Sequence, residues 1–209
     1  MTSHDQPTKK DVKIKVTNIV AKSLLVPPFS LNSLSSDYPF SPSPFFSRIA
    51  IPSGVNKNVS FSLFRSGVVV SRAAQSITDL EESFSWLRSF LDSYNLKLAE
   101  PYQIINIASV ALLSPPLDLA QLSQVLPNCS YDPSPMLFST GHEHLIHNLT
   151  YYFSADRTLK PRRTALIFPS GNVTLTGFIS IPDLEAHALH LSALLSRIAN
   201  EHSEVLAQK

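Results

Sequence analysis

The feature that most limits how this chain can fold is an internal repeat. Residues 17–35 (TNIVAKSLLVPPFSLNSLS) align without a gap with residues 105–123 (INIASVALLSPPLDLAQLS). Two later blocks match in the same order: FSLFRSGVVVSRA (61–73) with ALIFPSGNVTLTG (165–177), and SITDLE (76–81) with SIPDLE (180–185). Self-similarity of this kind is typical of a duplicated structural unit. The sequence therefore predicts two copies of one unit.

The spacing between the copies locates an insertion in the second. The offset is 88 residues in the first block, 91 between Phe40–Pro44 and Tyr131–Pro135, and 104 in the later blocks. The second copy has thus gained a net thirteen residues between about Met136 and Ala165. We predict a flexible tail (1–11), a first repeat (12–100), a second repeat (101–200) with an insertion at about 136–158, and a C-terminal tail (201–209).

Both copies have the same predicted order of elements. A strand (Val12–Ser23 or Tyr102–Ala111) leads through Pro-Pro into a short helix, for which Ser30 and Asp118 are candidate caps. Strands with Ser-Gly turns follow, and a longer helix capped by Ser76 or Ser180 closes each copy. These longer helices carry apolar stripes at helical spacing, made of Leu80, Phe84, Leu87 and Leu91 in the first and Leu184, Ala188, Leu191, Leu195 and Ile198 in the second.

The hairpin KPRRTALIFPSGNVTLTGF (160–178) has apolar or threonine side chains on both faces. A sheet with one face in water should alternate apolar and polar residues. Since the predicted helices can cover one face, the other face is either covered as well or kept for a partner.

Composition excludes several classes of protein. A formal charge of +1 gives no overall attraction to nucleic acid, so any basic surface must be local. The single cysteine, Cys129, excludes an internal disulfide and suits a reducing compartment. The N-terminal residues lack the apolar segment of a secretory signal, and no apolar run is long enough to span a bilayer. We therefore expect a soluble intracellular protein.

These residues carry a resemblance. From Val12 to Asn200, through the strand openings VTNIV and IINIA and the duplicated Ser-Gly hairpins, the chain resembles the TATA-binding protein family. The resemblance implies an α+β fold: a saddle of two pseudo-symmetric repeats forming a curved antiparallel sheet of ten strands, with two helices per repeat on the convex face. It also implies that the concave face lies on a widened DNA minor groove, where aromatic wedges unstack base steps and bend the duplex.

The resemblance assigns roles to particular residues. Asn18 and Asn106 match groove-contacting asparagines, Phe45 and Phe64 match the first repeat's wedge pair, and Phe168 matches one wedge of the second. Basic residues at the edge of the saddle, Arg163 among them, would meet phosphates. The positions expected to face the groove are Val20, Val70, Leu166, Thr174 and Thr176.

The chain also departs from the family pattern. The second repeat's other wedge falls on Met136, or on Ile146 if residues 145–153 form the matching strand. Ser62 replaces a groove-facing leucine, and Arg72 stands where threonine is expected unless one residue is deleted between Gly67 and Ser71. These departures are typical of a divergent TATA-binding-protein-related factor.

The resemblance also implies partners. The family's loop for transcription factor IIB survives as Tyr131, Asp132 and Pro133, followed by a serine. We expect promoter DNA as the main partner, with general factors of the IIA and IIB type or lineage-specific substitutes, a nuclear location, and neither a membrane nor a small-molecule substrate.

The sequence also bears on metal binding and on catalysis. His142, His144 and His147 could together ligate zinc, but their spacing fits no zinc motif, and a surface loop is favoured. No phosphate loop, nucleophile elbow or paired-carboxylate pattern occurs, so we expect neither an enzyme nor a cofactor.

The leading hypothesis for function is a general transcription factor that binds promoter DNA, bends it and nucleates the preinitiation complex. The alternative is an interaction platform with weak DNA affinity inside a larger transcription complex.

Overall fold

The computed structural model describes residues 12–40, 48–131 and 147–206. Within these ranges there are nine β-strands: β1 (Ile14–Leu24), β2 (Arg48–Pro52), β3 (Ser60–Phe64), β4 (Val68–Arg72), β5 (Gln103–Leu112), β6 (Cys129–Tyr131), β7 (Leu149–Tyr152), β8 (Thr164–Ile167) and β9 (Asn172–Phe178). The helices are α1 (Asn32–Asp37), α2 (Ile77–Asp92), α3 (Leu119–Val125) and α4 (Ile181–Glu201), and a 3₁₀ turn covers Ser203–Val205.

The nine strands form one curved antiparallel sheet in the order β2-β3-β4-β1-β5-β9-β8-β7-β6, with the helices on its convex side. The predicted saddle is therefore confirmed. The central pair is β1 and β5, joined from Ile14↔Ala111 to Lys22↔Gln103. Each of these strands has one extra residue, Thr17 in β1 and Ile105 in β5, at positions that the repeat alignment makes equivalent.

We predicted ten strands, and the described residues contain nine. The second half has an edge strand, β6, whereas the aligned segment of the first half, Tyr38–Phe40, is not in the sheet. This segment contains Pro39, which has no backbone N–H to donate to a strand ladder.

The core lies between the convex side of the sheet and the two long helices. The predicted apolar stripes are confirmed, since all their residues on α2 and α4 are buried. They pack on alternate strand residues such as Ile19, Phe61, Ile107 and Val173, all fully buried.

Local hydrogen bonds begin three of the helices as predicted. Ser76 and Ser180 accept from the backbone N–H of Asp79 and Asp183, and Asp118 accepts from two N–H groups of α3. The prediction for Ser30 is one residue too early: Leu31 holds the cap position of α1 and gives no side-chain cap, but the Ser30 hydroxyl still accepts from the backbone N–H of Asn32 at 3.3 Å.

Two predicted boundaries shift. Strand β7 lies inside the predicted insertion (136–158) and pairs with both β6 and β8, so it is a regular part of the sheet. Residues beyond 200 pack on the second half, because the carbonyl of Val205 accepts from the N–H of Asp118 at 2.8 Å and Val205 is fully buried.

Candidate nucleic-acid interface

The face of the sheet opposite the helices, called the open face here, is crossed by two equivalent rows of paired residues. In antiparallel sheets, directly paired residues point to the same face. The first row runs over β1, β4, β3 and β2 as Lys22, Val70, Ser62 and Ala50. The second runs over β5, β9, β8 and β7 as Val110, Thr174, Leu166 and Thr150.

These rows explain the hairpin that is apolar on both faces. Ala165, Ile167, Val173 and Leu175 are fully buried beneath the helices. The other row, with Leu166, Thr174 and Thr176, lies on the open face. Val20 and Val70 lie there as well, so all five of the expected groove-facing positions share this face.

The two asparagines occupy equivalent places within the central strand pair, Asn18 on β1 and Asn106 on β5. The Oδ1 atom of Asn18 accepts a hydrogen bond of 2.8 Å from the backbone N–H of Ala73. The Oδ1 atom of Asn106 accepts a bond of 2.8 Å from the N–H of Gly177 and another of 3.2 Å from the Thr176 hydroxyl.

These bonds fix which end of each amide is free. A backbone N–H can only donate, so its partner must be the carbonyl oxygen of the side chain. The NH₂ group of Asn18 and that of Asn106 is then the remaining end, and neither donates a hydrogen bond to any residue that the structure describes. Each asparagine can therefore offer a donor to an acceptor outside the chain.

The backbone donors have different residues in the two halves. Gly177 has φ of +89°, and a Cβ added there would lie 2.0 Å from the Arg162 carbonyl oxygen. Its counterpart, Ala73, holds the same left-handed conformation at φ of +66°. The backbone conformation that orients Asn18 is thus present in the first half, although alanine stands there where the second half has glycine, the residue that favours this conformation.

Two of the predicted wedge residues stand at the ends of equivalent strands. Phe64 ends β3 and Phe168 follows β8, and the carbonyl of each accepts from a turn glycine at 2.9 Å. Both side chains are half-buried, and they follow the buried residues Leu63 and Ile167. By alternation, Phe64 and Phe168 belong to the open face.

Several predicted residues lie outside the described ranges. Phe45, both candidates for the remaining wedge (Met136 and Ile146), and the loop residues Asp132 and Pro133 are among them. Tyr131 is described: it ends the edge strand β6 and pairs with the buried Leu149, which places it on the helix side of the sheet.

Arg163, which we predicted to meet phosphates from the edge of the saddle, is held in an ion pair on the helix side. Its Nη2 atom is 2.9 Å from Oδ2 of Asp183 in the first turn of α4, so the side chain is engaged on the helix side. The next residue, Thr164, pairs with Thr176 on the open face. Arg163 therefore connects the start of β8 to α4, and other residues must provide the basic surface.

Those residues are strand residues that the sequence analysis missed. Lys15 pairs with Val110, Lys22 with Gln103, Arg48 with Phe64 and Arg72 with Ser60, all on the open face. None of the nine strands contains an aspartate or a glutamate. A count of charges along the predicted strands would have revealed this asymmetry.

The strand register also shows whether the first repeat has one residue fewer than the second between the turn glycine and Arg72. Ser60 pairs with Arg72 as Thr164 pairs with Thr176, so Arg72 occupies the position of Thr176 with no deletion between them. The Nη2 atom of Arg72 donates to Oγ of Ser62 at 3.2 Å. Ser62 is 5% exposed although it lies on the open face, in keeping with cover by this arginine.

Other kinds of site are not seen where the structure is described. No group of three histidine, cysteine, aspartate or glutamate side chains there could hold a metal ion, and of the three clustered histidines His147 alone is included. Nor is any described helix long and apolar enough to cross a membrane.

Comparisons with known proteins agree with this architecture. The family model for "Transcription factor TFIID (or TATA-binding protein, TBP)" matches residues 101–198. The TATA-box-binding protein of Methanothermobacter thermautotrophicus is 26% identical over 194 residues, covering 90% of this chain and 97% of that protein. Among solved structures, Methanococcus jannaschii TBP matches with a TM-score of 0.68 at 21% identity, covering 88% of this chain and 99% of that one.

Proposed function

The chain belongs to the TATA-binding protein family, and from this premise we propose that it is a general transcription factor that binds promoter DNA in the minor groove. In this proposal it bends the duplex and nucleates assembly of the preinitiation complex. The proposed function is binding rather than catalysis. A factor that binds promoter DNA acts in the compartment that holds the genome, which in a eukaryotic cell is the nucleus.

The distribution of charge carries the proposal. The formal charge of the chain is only +1, yet the strands hold Lys15, Lys22, Arg48 and Arg72 on the open face and no carboxylate at all. The acidic residues of the described ranges lie on helices and in loops. A cationic surface free of carboxylates suits a polyanion, whose condensed counterions it displaces on binding.

The side chains that lie among these basic residues on the open face suit a minor groove. Every base pair presents acceptors there, purine N3 and pyrimidine O2. The free amide donors of Asn18 and Asn106 match those acceptors, and Val20, Val70 and Leu166 offer apolar contact to the groove floor. Phe64 and Phe168 would enter base steps at the two ends of the contact, which is how minor-groove proteins kink a duplex.

We also propose partners of the general-factor class. The edge strand β6 ends at Tyr131, and the run that continues through Asp132 and Pro133 would contact a factor of the IIB type. A factor of the IIA type, or a lineage-specific substitute for either, would complete the assembly.

The proposal can be tested by measuring binding to A·T-rich and mixed-sequence duplexes over a range of salt concentrations, with bend followed by energy transfer between dyes on the duplex ends. We expect preference for the A·T-rich duplex, a bend, and log Kd rising with log salt by roughly 0.9 per phosphate neutralised. Lys15→Gln with Lys22→Gln should reduce that slope, whereas Arg197→Gln on α4 should not.

A second candidate function is kept because much of the open face is apolar. Val110 is 39% exposed and Leu112 is 63% exposed on the central strand β5. If no duplex binds, alone or with a IIB-type factor, this surface would instead dock a protein inside a larger transcription complex. Retained binding of such factors together with absent DNA binding would favour that function.

A further inference from the structure

The two halves of the open face differ at one pair of equivalent positions, Arg72 and Thr176. Both follow the same strand register, and both precede the residue whose backbone N–H holds an asparagine, Asn18 or Asn106. An exchange of threonine for arginine at this place changes which hydrogen bonds the face can make.

Thr176 presents an acceptor. Its hydroxyl donates its proton to Oδ1 of Asn106 at 3.2 Å. A hydroxyl has a single proton to give, so the oxygen that remains toward the open face can only accept. The second half therefore combines an acceptor at Thr176 with a donor at the Asn106 amide.

Arg72 presents donors alone. A guanidinium cannot accept a hydrogen bond. Its Nη2 bond to Ser62 holds the side chain across the first half, and within the described residues this is the hydrogen bond that the guanidinium makes. Its other N–H groups remain available, beside a second donor at the Asn18 amide.

This difference has a consequence in a minor groove. A·T and T·A pairs present only acceptors there, whereas guanine adds the N2 amino group, which is a donor. A guanine amino group under Thr176 would meet an acceptor, but under Arg72 it would meet a donor and lose its partner. We propose that Arg72 is a specificity-determining residue, an inference that rests on the proposed function. Arg72 makes the first half of the open face reject G·C pairs, while the second half tolerates one.

A self-complementary A·T-rich duplex gives a sharp test. With a single A·T pair replaced by G·C, the protein can turn to place that pair under Thr176, so we expect less than about a threefold loss of affinity. With G·C pairs at both symmetric positions, one must lie under Arg72, and we expect a loss of about tenfold or more. Inosine·cytosine pairs, which lack the amino group, should restore the affinity.

Variants separate this role from others. Arg72→Thr should bring the loss from the double G·C duplex down to about that from the single one, and Ser62→Ala should reduce it in part. The same substitution on the helix side, Arg197→Thr, should leave the ratio unchanged, and thermal unfolding checks that each variant is folded.

Two results would overturn the inference and leave the proposed function standing. One is equal loss of affinity by Arg72→Thr on all duplexes, which would indicate contact with a phosphate. The other is an unchanged ratio between the double and single G·C duplexes. If the wild-type protein binds no duplex, the proposed function fails and this inference fails with it.

Discussion

The backbone N–H of Ala73 donates a 2.8 Å hydrogen bond to Asn18 from a residue whose φ is +66°. In the second half Gly177 does the same for Asn106 at φ of +89°. Both halves therefore hold their asparagine in the same way, and the first half does so with an alanine in the left-handed region.

We expect Ala73→Gly to stabilise the fold slightly. A residue other than glycine in the left-handed region costs about 1–2 kcal/mol, and the added freedom of glycine in the unfolded chain offsets roughly 0.5–1 kcal/mol of the gain. The free energy of unfolding should therefore rise by about 0.5–1 kcal/mol in urea titration, with DNA affinity unchanged.

The reverse change, Gly177→Ala, provides the matched comparison. The new Cβ would lie 2.0 Å from the Arg162 carbonyl oxygen, so we expect a loss of about 2 kcal/mol or more. A neutral Gly177→Ala, or a clearly destabilising Ala73→Gly, would contradict this account of the two turns.

Asn18→Asp and Asn106→Asp should separate folding from DNA binding. The carboxylate keeps an acceptor for Ala73 or Gly177 but replaces the NH₂ donor with a negatively charged oxygen. We expect thermal unfolding within a few degrees of the wild type and a loss of duplex affinity of about 10- to 100-fold per site. Asn18→Ala, which removes both interactions, should lower stability as well. Unchanged affinity in both aspartate variants would mean that the amides do not face DNA.

The repeat, the long helices and three of the caps were predictable because each can be read from residue identities: the repeat from matching blocks, the helices from apolar spacing and the caps from Ser or Asp at a helix start. The open face was predictable only in part. Lys15 and Lys22 are an odd number of residues apart and would alternate to opposite faces in a regular strand. The extra residue Thr17 brings both onto the open face, and a shift of one residue always reverses a strand's faces.

The same sensitivity applies to Arg163. The basic run before β8 gives no sign of where alternation begins, and the Arg163 side chain falls on the helix side. Its partner, Asp183, stands twenty residues further on, in α4. The sequence predicts Asp183 as a first-turn carboxylate suited to the helix dipole, and only tertiary packing reveals that it also holds an arginine.

A pH dependence is expected at the junction of α1 and α2. The hydroxyl of Tyr94 donates to Oδ2 of Asp37 at 2.6 Å, and this hydrogen bond is the main cause that raises the pKa of Tyr94 to about 12. Because the pKa is raised in the folded state, the stabilisation is fully present below about pH 10 and is lost as pH rises toward 12. Tyr94→Phe should therefore be less stable than the wild type at pH 8.

The check is a comparison of thermal unfolding for the two proteins from pH 8 to 12, together with the phenolate absorbance that the substitution removes. The difference in stability should shrink above pH 10, and the absorbance lost with Tyr94 should titrate later than that of a free tyrosine. A constant difference in stability over the whole range would contradict this account, because Tyr94→Phe keeps the ring that contacts Phe90 and removes only the hydroxyl.

The wedges give the most direct test of DNA bending. Phe64 and Phe168 stand at equivalent strand ends on the open face. An aromatic side chain inserted in a base step offsets an unstacking cost of a few kcal/mol by stacking and fit. We expect Phe64→Ala and Phe168→Ala each to reduce the bend measured by energy transfer and to weaken binding by about tenfold or more.

The two halves should also differ in how much they bend the duplex. By the family resemblance, the first half pairs Phe64 with Phe45, whereas the second pairs Phe168 with Met136 or Ile146, neither of which has a flat ring. Phe64→Ala should therefore cost more bend than alanine at Met136 or Ile146, and Leu189→Ala on the exposed side of α4 should cost none. If Phe64→Ala leaves both bend and affinity intact, the open face does not kink DNA, and the alternative of a protein-docking platform is favoured.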